Sequence, residues 1–123
     1  MGKKIWTLRE AKEVLPTIIE ITSEYYEKCS VLAKELRASI YPENVMETKE
    51  AEIADLVQSW SGQMLALGLD VKGLWLVDFD HGKGYYCWTW GEDDVMYEHG
   101  YNDGFRSRKL IEKPSEDSDD GNQ

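Results

Sequence analysis

The chain of 123 residues contains 41% hydrophobic and 31% charged residues, which is ordinary for a folded globular protein and excludes a fibrous or wholly disordered chain. This length allows one domain with one core. The formal net charge is −10, and because nucleic acid and anionic lipid are usually bound through clustered Lys and Arg, we expect neither as a partner. The sequence shows neither a membrane-spanning apolar run nor the apolar stretch of a signal peptide, so a cytoplasmic protein is expected.

The N-terminal third carries the strongest periodic pattern. Thr7-Leu8-Arg9-Glu10 is a capping box, in which the side chains of Thr7 and Glu10 each accept from the other's backbone amide, so a helix is predicted to begin at Leu8. Apolar residues then recur at alternating spacings of three and four as far as Leu36, which indicates a long amphipathic helix packed on a second helix. At Pro16 either this helix kinks, or a short helix ends and a longer one begins; we favour one kinked helix.

A second helix is predicted after the break at Pro42. Its apolar stripe begins near Met46 or Thr48 and continues to Leu67, and Gly68 follows as a left-handed C-cap. The short connection predicts that the two helices form an antiparallel hairpin.

Three runs rich in β-branched and aromatic residues follow the helices and are separated by turn residues: Leu74–Phe79, Tyr85–Trp90 and Val95–His99. We therefore predict an α+β fold, with the helical hairpin packed on a three-stranded antiparallel meander. Residues 1–111 should form this single domain. Residues 112–123 are predicted to be a disordered acidic tail, because this polar segment cannot bury enough apolar surface to offset the entropy of ordering.

The residues best suited to chemistry cluster in the β half of the chain. The six candidates for ligand binding are Asp78, Cys87, Glu92, His99, Asp103 and Arg108. If the protein holds a metal ion, His99 with Glu92 and Asp103 is the predicted ligand set, although no recognised ligand spacing is present and no motif implies a cofactor. The competing interpretation is that His99 only donates a hydrogen bond to a neighbouring carboxylate.

Two arginines near the end of the domain suggest a second kind of site. Arg106 and Arg108 could bind an anion together with His99. The alternative, which we favour, is that these arginines pair internally with Glu92 or Asp103.

The two cysteines are too few to indicate a disulfide framework, and both are expected to be reduced. Cys87 would act as a nucleophile only beside a base such as His99. In its aromatic strand, we interpret Cys87 instead as a small buried residue.

Several short motifs together suggest a family. They are Thr7-Leu8-x-x-Ala11, Leu15-Pro16, Gly68-x-x-Val71-Lys72, Val77-Asp78-Phe79, Cys87-Trp88, Gly91-Glu92, His99 and Gly104-Phe105-x-x-Arg108. With these motifs the chain resembles a family of small uncharacterised prokaryotic proteins, domain of unknown function 2203. The resemblance implies a prokaryotic source and a helical hairpin with a sheet, and it implies no particular activity.

Two functional hypotheses follow. The leading one is a non-enzymatic binding or assembly module that forms a homodimer or binds a protein partner, because the long helix offers surplus apolar surface. The alternative is a small metal- or anion-binding site around His99, Glu92 and Arg108. The sequence leaves open whether such a site would be enzymatic.

Overall fold

The computed structural model describes residues 4–112, which form a helical hairpin followed by an antiparallel sheet. The elements are α1 (Leu8–Ala38), α2 (Glu43–Ala66), β1 (Asp70–Gly73), β2 (Leu76–Asp80), β3 (Tyr85–Thr89), β4 (Tyr97–His99), a 3₁₀ turn (Phe105–Ser107) and β5 (Lys109–Leu110). The predicted α+β class is therefore confirmed. The predicted disordered tail lies outside the described residues, apart from Glu112.

Helix α1 begins with the predicted capping box. Thr7 Oγ1 accepts from the Glu10 amide, and Glu10 Oε1 accepts from the Thr7 amide, each at 3.1 Å. A single helix continues through Pro16 to Ala38, so the two-helix alternative is wrong. One proline costs this helix a single backbone hydrogen bond, and buried residues on both sides of it hold the helix in place.

Helix α2 begins earlier than predicted, at Glu43, because Pro42 occupies the N-cap position. The first turn of a helix needs no intrahelical amide donors, so a proline is tolerated there. The C-terminus is as predicted: Gly68 has a φ of +94°, its amide donates to Leu65 O, and the Leu69 amide donates to Met64 O. This pair of hydrogen bonds is a Schellman motif.

The sheet has the strand order β1-β2-β3-β4-β5, and each strand pairs antiparallel with the next. The three predicted strands correspond to β2, β3 and β4, so the prediction of only three strands is wrong. Strand β1 was missed because Asp70–Gly73 lacks clear alternation. Strand β5 is two residues long and exists because the chain returns to pair with Tyr97 and Glu98.

The two faces of the sheet differ in character. One face packs on the helices, where Val77, Phe79 and Trp88 join the fully buried Trp60 and Met64 in the core. Because side chains alternate along a strand, the neighbouring positions project from the opposite face, which the segment 100–108 covers.

The helices are tied together near the sheet by a buried hydrogen bond. Trp60 Nε1 donates to Thr22 Oγ1 at 2.9 Å, and both residues are 0% exposed. A buried indole N–H without an acceptor loses its hydration with no compensation.

We predict that Thr22→Val, which keeps the side-chain shape but removes the acceptor, lowers the free energy of unfolding by about 1–3 kcal/mol. The control is Thr17→Val, an equivalent substitution at an exposed position of α1. Urea unfolding followed by circular dichroism measures both variants. Equal stabilities for the two variants would contradict a role for this hydrogen bond.

Candidate metal-binding site on the outer face of the sheet

Three central strands place three of the six candidate residues on the face opposite the helices. Asp78 in β2 lies opposite Cys87 in β3, which in turn lies opposite Tyr97 in β4. His99 occupies the next cross-strand position on the same face, opposite Tyr85. From there its ring reaches across β3 to Asp78 in β2, where His99 Nε2 lies 2.9 Å from Asp78 Oδ2.

Asp78, Cys87 and His99 form a compact buried cluster. One potential ligand atom from each residue lies within 4.8 Å of the other two. Asp78 and Cys87 are 0% exposed and His99 is 7% exposed. The predicted metal set was His99 with Glu92 and Asp103; the structure brings His99 together with Asp78 and Cys87, and Glu92 and Asp103 lie outside this group.

The hydrogen bonds of His99 place a proton on Nδ1 of its ring. Nδ1 lies 2.9 Å from Gly100 O, and because a carbonyl oxygen only accepts, Nδ1 carries a proton. Nε2 lies 2.9 Å from Asp78 Oδ2. This second contact also needs a proton, held either by an imidazolium or by a protonated carboxyl group.

Hydrogen bonds and nearby charges offset only part of the cost of burying the Asp78 carboxylate. Burial raises the pKa of its carboxyl group, while the Cys87 thiol and the positive charges of His99 and Lys72 lower it. Oδ1 is buried and accepts no hydrogen bond of good geometry from the residues that the structure describes. The adjacent thiol is the weak donor that faces this carboxylate.

Cys87 does not meet the requirements of a nucleophile. Burial, followed by the charge of Asp78, raises the pKa of its thiol to about 12. Both ring nitrogens of His99 are already engaged, by Asp78 and by Gly100, so His99 is not free to serve as its base. The geometry favours a ligand or a structural thiol over covalent catalysis.

Arg108 and Glu92 form a paired unit beside the cluster. Arg108 Nη1 lies 3.1 Å from Glu92 Oε1, and Nη2 contacts Oε2, so the guanidinium engages both carboxylate oxygens. This is the internal pairing that we favoured over an anion site. Nη1 also lies 3.8 Å from Cys87 Sγ, which links the pair to the cluster.

A cavity of about 200 Å³ opens onto the cluster. Its lining consists of Lys72, Leu76, Asp78, Cys87, His99, Asp103, Gly104 and Phe105. Asp103 thus borders the cavity without joining the cluster, and its Oδ2 accepts from the Gly100 amide at 3.3 Å. The cavity gives the buried residues access to a small molecule or an ion.

Sequence reasoning missed Lys72 as part of this site. Its ammonium lies 4.3 Å from the ring centroid of Tyr85, over the outer face of the sheet. The one available signal was the Val71-Lys72 motif of the family resemblance. Because β1 was not predicted as a strand, nothing placed this lysine beside Asp78.

The fold and the site define an α+β domain with a buried Asp-Cys-His cluster. The chain belongs to the family described as "Uncharacterized conserved protein (DUF2203)", whose model matches residues 4–111. No curated protein and no solved structure matches the chain significantly. Within the described residues, no helix is long and apolar enough to cross a membrane.

We predict that His99→Ala lowers the free energy of unfolding by about 3–5 kcal/mol, because it leaves Asp78 buried without its partner. The control is His81→Ala, which removes the other histidine, whose side chain is 15% exposed and lies 3.5 Å from Glu98; because the Glu98 side chain is 27% exposed and stays hydrated, this change should cost less. Adding Asp78→Asn to the His99→Ala variant should restore part of the loss. Urea unfolding measures all three, and equal losses for the two histidine variants would refute the role of the buried pair.

Proposed function

We propose that this protein binds one transition-metal ion of the zinc class through Asp78, Cys87 and His99. The observation that carries the proposal is the convergence of a carboxylate, a thiol and an imidazole within 4.8 Å of one another at a cavity. Oxygen, sulfur and nitrogen donors of these types are the protein ligands of zinc.

The orientation of His99 supports this assignment. Its Nδ1–H donates to Gly100 O at 2.9 Å, which is the outer hydrogen bond that metal-binding histidines usually make. Nε2 then faces Asp78 and Cys87. A bound cation would take the place of the proton that now has to sit between Nε2 and Asp78 Oδ2, and it would balance the buried carboxylate.

The distances between the ligand atoms and the types of donor restrict which metal ion the cluster can bind. With bond lengths of about 2.0–2.3 Å, a tetrahedral zinc ion holds its ligand atoms about 3.3–3.6 Å apart. The three atoms lie within 4.8 Å of one another, so the longer separations need to close by at most roughly 1 Å, whereas His99 Nε2 and Asp78 Oδ2, now 2.9 Å apart, need to open slightly to admit zinc. Mg²⁺ and Ca²⁺ fit poorly because they require more oxygen ligands than this cluster supplies.

Three protein ligands leave a fourth tetrahedral position for water or a small donor molecule. This position would be reached from the cavity of about 200 Å³ beside the cluster. An open position distinguishes reactive zinc sites from closed structural ones, which take four protein ligands. The proposed class is therefore a metal-dependent small-ligand site.

We predict that the purified full-length protein binds about one Co²⁺ per chain, as a spectroscopic substitute for zinc at the Asp78-Cys87-His99 cluster. Because Cys87 supplies a sulfur ligand, an absorption band for sulfur-to-cobalt charge transfer should appear, and added Zn²⁺ should abolish it. Cys87→Ser should lose the band. Cys29→Ser, which alters the other free cysteine in α1, should retain it.

A second matched pair tests the imidazole ligand. His99→Gln should weaken cobalt binding, whereas His81→Gln should leave it unchanged, and circular dichroism establishes that each variant is folded. Absence of the charge-transfer band in the wild-type protein would overturn the proposal. Its persistence in folded Cys87→Ser would do the same.

The hypothesis of an assembly module that forms a homodimer or binds a protein partner stays a prediction. Its support is apolar exposure where α1 ends and turns toward α2, where Val31 is 58% and Ile40 is 75% exposed. Size-exclusion chromatography with light scattering would contradict self-assembly if the protein remained monomeric at high concentration. A cytoplasmic location and a prokaryotic source likewise stay predictions.

A further inference from the structure

Arg108 is not one of the proposed ligands, yet it contacts one of them. Its Nη1 lies 3.8 Å from Cys87 Sγ, a distance compatible with an N–H donor facing sulfur. The Arg108 side chain is 13% exposed. Its charge therefore lies close to the cluster and is only weakly screened by solvent.

The guanidinium is held in place by Glu92. The two groups make a two-pronged contact, which fixes the plane of the guanidinium as well as its position. Glu92 is itself anchored, because Oε1 accepts from the Thr89 amide at 3.1 Å and its backbone carbonyl accepts from Trp88 Nε1 at 2.8 Å. The position of the donor is thus set by the end of β3 and the turn that follows.

Two aromatic rings also hold the guanidinium. Its central carbon lies 4.1 Å from the ring centroid of Tyr97 and 4.2 Å from that of Phe105. Tyr97 is the cross-strand neighbour of Cys87, so this ring holds the guanidinium over the strand that carries the sulfur. Such contacts are favourable for a partly desolvated arginine.

We propose that Arg108 is a positioning residue of the metal site, which donates from Nη1 to the Cys87 sulfur when that sulfur binds the ion. This inference rests on the proposed metal-binding function. A metal-bound sulfur carries more negative charge than a thiol, so the contact strengthens in the loaded protein. Outer hydrogen bonds of this kind orient ligands and adjust the affinity of a metal site.

The test is a cobalt titration of Arg108→Gln beside Arg106→Gln, a matched change at an exposed neighbouring arginine. Arg108→Gln should bind cobalt about 10- to 100-fold more weakly than wild type. Its charge-transfer band should move to longer wavelength, because the sulfur no longer donates electron density into a hydrogen bond. Arg106→Gln should match wild type in both measurements.

The band energy separates positioning from a purely structural role. A variant that only weakens the fold melts at a lower temperature but keeps the band of the wild-type protein once it is loaded. Arg108→Lys retains the positive charge and N–H donors but loses the two-pronged contact with Glu92. Its cobalt affinity and its band wavelength should therefore lie between those of wild type and Arg108→Gln. If Arg108→Gln fails to fold, Arg108→Lys provides the test. A band and a cobalt affinity in Arg108→Lys that equal those of wild type would then overturn the inference.

The outcomes also distinguish this inference from the function on which it rests. A charge-transfer band in the wild-type protein that is identical in folded Arg108→Gln overturns the role of Arg108 and leaves the metal site intact. If the wild-type protein shows no such band, both are overturned.

Discussion

A carboxylate that loses its water on folding needs a proton, a cation or several hydrogen-bond donors, and Asp78 receives these only in part, from the charges of His99 and Lys72 and from a hydrogen bond at one oxygen. His99 reaches one oxygen, and the other has no partner of good geometry within the described part of the chain. The neighbouring thiol is a weak donor. This incomplete compensation is the constraint around which the outer face of the sheet is organised, and it favours a cation at the position where His99, Cys87 and Asp78 meet.

The two faces of the sheet have different roles, because the inner face stabilises the fold and the outer face carries the polar cluster. Its inner face supplies Val77, Phe79 and Trp88 to a core shared with the helices, and these large apolar side chains anchor the strands. Its outer face can then hold polar groups in a fixed register, because the backbone geometry is already set by the core. Rigid strands hold ligand positions more accurately than loops do.

The segment 100–108 completes the site from outside the sheet. It supplies Gly100 O to His99, and it brings Phe105 and Arg108 over the sulfur. The buried residues on this face therefore depend on contacts with residues 100–108, most of which are exposed. The acidic charge of the chain, −10 overall, adds a long-range attraction for cations.

Features that depend on neighbouring residues along the chain could be predicted from the sequence. The Thr7 capping box, the spacing of apolar residues in α1, the Gly68 cap and the α+β class all follow from local hydrogen bonding and hydrophobic periodicity. Asp78, Cys87, His99 and Arg108 were also recognisable as candidates, because polar and reactive side chains stand out in an aromatic β region.

Which of these candidates come together depends on how the strands pair in the folded sheet. Strand register brings Asp78 opposite Cys87 and places His99 on the same face of β4. Glu92 instead pairs with Arg108, and Asp103 lies at the edge of the cavity. Strand β1, which fixes the position of Lys72, forms by pairing with β2 just after it, and β5 forms by pairing with the more distant β4. Cross-strand pairing depends on the folding of the whole sheet, so local propensity does not contain this information.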